Sequence, residues 1–152
     1  MAATGDISRA YEAGVEPVMN DVAFTTSAGD ITIYEGTAVG IDPSTNTVEE
    51  AFNAANNFVG FAQAKAVKGT QTHVHVRSKG IVKLTVADST DGSVTAGTDV
   101  EVGDSVYASA DDTFTKTSAS GMLIGRVHRV LSTSGANATC MVYFEAVSLR
   151  SV

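Results

Sequence analysis

The chain contains one cysteine, two prolines and no tryptophan, and its aromatic residues make up only 7% of the total. With Cys140 alone, no intrachain disulfide can form, so packing or assembly must hold the fold together. Cys140 lies in the apolar run 138–144 (ATCMVYF) with no neighbour that would activate a thiolate, and is expected as a buried core thiol. No stretch approaches the roughly 20 continuous apolar residues of a membrane span. The N-terminus lacks the cationic start and apolar core of a secretory signal, so the expectation is a chain made in a cytoplasm that stays soluble and has no membrane partner. Positive charge is scarce as well. Ten Lys and Arg face 17 Asp and Glu, a net charge of −7, which argues against nucleic acid as a direct partner, because phosphate binding needs a concentrated cationic surface.

What is present points to β structure. At 152 residues, 43% of them apolar and 18% charged, the chain is long enough for one domain with a core and too apolar for global disorder. Fourteen glycines among many Thr, Ser, Val and Ala suit short strands joined by tight turns. From Gly29 onward, turn signals recur roughly every ten residues, the pattern of a single small β-barrel or β-sandwich.

Residues 31–34 (ITIY) and 37–41 (TAVGI) flank Glu35 and Gly36 as a first hairpin, and 42–46 (DPSTN) reads as a turn. Residues 49–57 (EEAFNAANN) are left as loop, because three Asn weaken any helix there. The clearest strands are 58–67 (FVGFAQAKAV) and 72–86 (THVHVRSKGIVKLTV). In the latter, Val74, Val76, Val82, Leu84 and Val86 share one parity and His73, His75, Arg77, Lys79 and Lys83 the other, which makes one face core and the other wet and cationic. Gly80 falls in the buried register, suggesting a bend, a bulge or a close approach of backbone. Asp91 and Gly92 form a turn, residues 98–102 and 104–108 are strands around Gly103, and Asp111 and Asp112 tip a turn before Phe114. Residues 122–131 and 138–147 close the chain as strands around 132–135.

Residues 1–28 differ. Small and acidic residues are separated by isolated apolar ones, which implies an extended N-terminal arm ahead of a body at 29–152. Ile7, Tyr11, Val15, Val18 and Phe24 are the candidate partner-binding residues of this arm, each able to fill a pocket or extend a sheet edge on a neighbour. Charge is also segregated. Lys65, Lys68, Arg77, Lys79 and Lys83 form a cationic block, followed by the acidic block Asp88, Asp91, Asp99, Glu101, Asp104, Asp111 and Asp112, a separation that would orient one subunit against another.

Chemistry-bearing constellations are weak. His73 and His75 share a strand face about 6.5 to 7 Å apart, but Arg77 and Lys79 beside them would repel a cation and no third ligand is visible. His128 stands between Arg126 and Arg129 without a nucleophile elbow. The glycines are too dispersed to cradle a phosphate. Glu49 with Glu50, and Asp111 with Asp112, are sequential neighbours in turns, where solvation explains them. The expectation is a non-enzymatic protein with no cofactor and no metal.

Several segments together resemble the bacteriophage head decoration, or capsid cement, family: 34–42 (YEGTAVGID), 58–66 (FVGFAQAKA), 76–86 (VRSKGIVKLTV), 102–115 (VGDSVYASADDTFT) and 123–130 (LIGRVHRV). Their order and spacing carry the resemblance over about residues 29–147, and the N-terminal arm takes no part in it. The resemblance implies a small β-barrel or β-sandwich on the outer surface of a tailed-phage capsid, made in the host cytoplasm. Its implied partners are the major capsid protein and neighbouring copies of itself, commonly as a homotrimer, with a dimer as the other choice. A tail-tube or surface-fibre module is the alternative reading. A carbohydrate-binding module is weaker, since Tyr34, Tyr107 and Tyr143 lie in apolar strands rather than on an open stacking surface.

Overall fold

The computed structural model describes residues 3–26, 29–87, 99–116 and 121–146. Those residues form an all-β domain of ten strands: β1 (Val18–Ala23), β2 (Thr32–Ile33), β3 (Ala38–Ile41), β4 (Asn57–Ala62), β5 (Ala66–Val67), β6 (His73–Ala87), β7 (Ser105–Ala110), β8 (Thr113–Thr115), β9 (Met122–Ser134) and β10 (Asn137–Glu145). A sheet that runs β6, β10, β9, β7, β8 and back to β6 closes on itself, so the barrel alternative is the observed one. Every pairing in the ring is antiparallel except β6 with β8, where Val86 lies opposite Phe114 and Ala87 opposite Thr115. Closure removes the sheet edges that would otherwise stand open around the ring.

The 15-residue strand β6 organises the rest. Its alternation is the expected one: Val74, Val76, Val82, Leu84 and Val86 are buried, while His73, His75 and Lys83 are exposed. The C-terminal half faces a core that includes Phe58, Phe61, Phe114, Ile124, Val142 and Phe144. Phe61 and Phe144 meet edge to face at 5.0 Å, and Phe58 stands edge-on to Phe61 at 5.5 Å. Such geometry adds about 0.5–1.5 kcal/mol per pair beyond burial. The N-terminal half of β6 faces a second core with Val22, Phe24, Ile33, Val39, Val48 and Val59. Gly80 sits between the two, where an added Cβ would lie 3.0 Å from the Arg77 guanidinium and 3.4 Å from the Phe144 ring, so side chains crowd this glycine rather than the expected backbone.

Local turn chemistry is as expected in two places. Asn46 adopts φ 57° and closes the 42–46 turn onto the Asp42 carbonyl, while the Asp42 carboxylate accepts from both the hydroxyl and the N–H of Ser44. Those bonds hold its carboxyl below the ordinary aspartate range. Asp111 and Asp112 occupy the β7–β8 turn.

The pairings depart from the expected hairpins elsewhere. Residues 31–34 and 37–41 do not pair with each other: β2 pairs with β5 and β3 with β4. The 58–67 run accordingly breaks after Ala62, where Gln63 donates its N–H to the His75 carbonyl and the chain turns to bring Ala66 opposite Ile33. The expected strand 98–102 is not one over residues 99–102, which lead into a turn in which Asp104 caps the Glu101 N–H. The Asp91–Gly92 turn, Asp88, Thr98 and Val147 lie outside the described residues.

Candidate interaction surface

Over residues 3–26 the N-terminal segment lies along the barrel in two pieces. The first, residues 3–12, is a strap. Ile7 donates its N–H to the Glu35 carbonyl and Asp6 accepts the Glu35 N–H, which lays the strap across the 34–37 turn. Gly36 is required there: at φ 82° it leaves the Ile7 carbonyl 2.1 Å from where a Cβ would stand. Further along, Lys83 donates to the Ala10 carbonyl, Glu12 donates to the Ile81 carbonyl, and Tyr11 bridges Val82. The strap therefore adds one short antiparallel rung to β6.

That rung fills a gap. In a strand, the N–H and C=O of alternate residues point to opposite edges. His75, Ile81 and Lys83 bond toward Gln63 and the strap, whereas Thr72 and Ser78 bond toward Phe24 and Ala146. Residues 10–12 thus lie along one edge of β6 between β4, which pairs at Val76 and Arg77, and β8, which pairs at Val86 and Ala87.

Arg9 fixes the strap's centre. Its side chain is 11% exposed; Nε donates to the Gly36 carbonyl and Nη2 to Asp112, and the guanidinium lies 5.3 Å from the Phe114 ring centroid and 5.8 Å from that of Phe61. A planar donor fork between a carboxylate and two aromatic faces is the environment that arginine suits and lysine does not. Beside it, buried Asp111 accepts the Ala3 N–H, and burial raises its pKa against that hydrogen bond. Tyr11 stacks beneath the Arg77 guanidinium at 4.1 Å and accepts from Gln63; burial is the main cause that raises its phenol pKa. Glu12 pairs with Arg129 at 3.2 Å, but its Oε2 is buried with no hydrogen-bond partner among the described residues.

The second piece is β1, which pairs antiparallel with β6 from Val18 opposite Lys79 to Ala23 opposite His73. Of the five expected contact residues, Phe24 is buried in the chain's own second core, Ile7, Tyr11 and Val15 are half-buried, and Val18 is 44% exposed. Met19 beside it is 43% exposed. Among the described residues, Leu123 and Leu131 on β9 and Val102 in the turn before β7 are the other large apolar side chains that face solvent. Among the described residues, no strand pairs with the outer edge of β1 at 18–22, nor with β9 beyond Val127 on the side away from β10.

Sequence reasoning missed Arg9 and misread Asp111, which is 4% exposed rather than solvated. A signal for the arginine existed: it is the one Lys or Arg before Lys65, isolated among small and acidic residues. Cys140 is buried as expected, and desolvation pushes its thiol up to about 11. His73 bonds to Thr72 and His75 to Asp21, both exposed. Among the described residues no three His, Cys, Asp or Glu converge as a metal site, and no helix is long and apolar enough to cross a membrane.

No family model matches the chain, and no curated protein matches its sequence.

Proposed function

We propose that the chain is a structural decoration, or cement, protein. It sits on the outer surface of a tailed-phage head and stabilises the shell by bridging major capsid protein subunits. The observation that carries this reading is a closed barrel with two strand edges unpaired among the described residues, each bearing exposed apolar side chains: Val18 and Met19 on β1, Leu131 on β9. Open edges and isolated apolar anchors are the equipment of strand-by-strand docking. The family-like segments support it, since 34–42, 58–66, 76–86, 102–115 and 123–130 all fall on β3 to β9 and their turns.

Many weak contacts on a lattice act together, because engagement at one point places the others at high effective concentration. The test is sedimentation with expanded heads that lack decoration. The chain is expected to pellet with them saturably and to raise their resistance to heat, with no hydrolase or transferase activity. A chain that stays in the supernatant at saturating concentration rules the reading out.

A further inference from the structure

We propose that residues 3–12 are an exchangeable strap, which leaves its own barrel and seats in the same groove on a second copy of this chain. The inference needs only copies of this chain and stands apart from the capsid reading.

The groove is complete without its own strand β1. Among the described residues, the strap's partners come from the 35–36 turn, Gln63, β6, the 111–112 turn, Arg129 and the barrel phenylalanines, and none of them lies in β1. Every copy therefore presents the same seat to any strap that reaches it.

The connection between strap and β1 is a hinge. Ala13, Gly14, Glu16 and Pro17 are exposed, and Gly14 takes φ 102° with nothing within 4 Å of where its Cβ would be. There the chain crosses from the β4 edge of β6 to the β10 edge without changing direction, since residues 10–12 and β1 both run antiparallel to β6, and this crossing holds the strap on its own body. Pro17 favours a straighter connection, because proline pushes the preceding Glu16 toward extended backbone. Straightened, residues 13–17 span about 17 Å, enough to carry the strap away from its own barrel.

The seat is also loosely filled. A cavity of about 60 Å³ lies between Ile7–Tyr11 and the 35–36 and 62–63 backbone. A second, open to solvent and about 530 Å³, lies against residues 3–7 beside Asp112 and Thr113. The buried Glu12 Oε2 lacks a donor among the described residues, a defect that eases the strap's release from whichever seat it occupies. An exchanged strap makes the same contacts as a closed one, so the balance rests on the hinge and on the local density of copies.

Ala10 and Lys83 face each other across the rung, and both are exposed, at a spacing of about 5.5 Å between Cα atoms that a disulfide accepts. Full-length Ala10→Cys chains carrying a size tag are mixed with untagged Lys83→Cys chains, oxidised mildly and run without reductant. Exchange predicts a mixed two-chain adduct that grows with protein concentration and exceeds the adduct formed with Thr45→Cys, an exposed turn residue remote in sequence. Gly14→Val, which strains the hinge at its φ of 102°, raises the yield severalfold. The double variant Ala10→Cys/Lys83→Cys in dilute solution closes within one chain and verifies the seat. A mixed adduct no greater than the Thr45→Cys control, or a double variant that never closes, overturns the proposal.

Discussion

Leu84 and Lys83 are adjacent in β6 and differ in one respect, the face on which they lie. Leu84 is 2% exposed inside the barrel and Lys83 is exposed. Leu84→Ala is expected to cost about 2–5 kcal/mol in denaturant unfolding, and Lys83→Ala to be nearly silent; equal losses would mean the strand's parity is misassigned. Arg9→Ala removes a buried donor fork and leaves Asp112 without its cation, for about 3 kcal/mol, with Arg9→Lys recovering only part because an ammonium cannot serve the carbonyl, the carboxylate and two ring faces together. Asp111 gives a pH signature. Burial raises its folded pKa above the unfolded value, so its ionised form opposes folding above the folded pKa, and that penalty is relieved as pH falls through it. Asp111→Asn keeps an acceptor for the Ala3 N–H and should melt higher than the natural chain near pH 7, with the gap closing toward about pH 4. A gap that widens on acidification would reverse the sign. The β6 parity was legible because one residue in two repeats its environment; the Arg9 site was not, because its partners come from residues 36, 61, 112 and 114, far away in sequence.

At the scale of elements, the sequence marks where strands and turns fall better than which strands meet. The 42–46 turn and the β9–β10 hairpin are local, and their residues announce them. The pairings of β2 with β5 and β3 with β4 are decided by which apolar faces must share the second core, and no short-range signal distinguishes them from a simple 31–41 hairpin. The N-terminus divides in the same way. Its small and acidic composition reads as an arm with partner-binding residues, yet Val22 and Phe24 are core residues and β1 is a strand of the main sheet. A chain beginning at Ala13 keeps β1 and is expected to retain β-type circular dichroism and a cooperative melt at lower temperature. A chain beginning at Ser27 also loses Val22 and Phe24 and is expected to lose cooperativity. If the Ser27 chain melts like the full protein, β1 is dispensable and the arm is a tail.

For the whole molecule, closure of the barrel leaves β1 and the distal part of β9 as edges that carry exposed apolar side chains among the described residues. Two short edges suit docking onto a partner better than endless self-association, so the purified chain is expected to remain a small oligomer by analytical ultracentrifugation, where a tail-tube subunit would polymerise into rings or tubes. The claim that this barrel is a capsid staple is tested most directly by electron cryomicroscopy of expanded heads with and without saturating protein. The account predicts added density of barrel size on the outer surface, repeated at lattice positions where capsid subunits meet. Maps that are identical with and without the protein would contradict it.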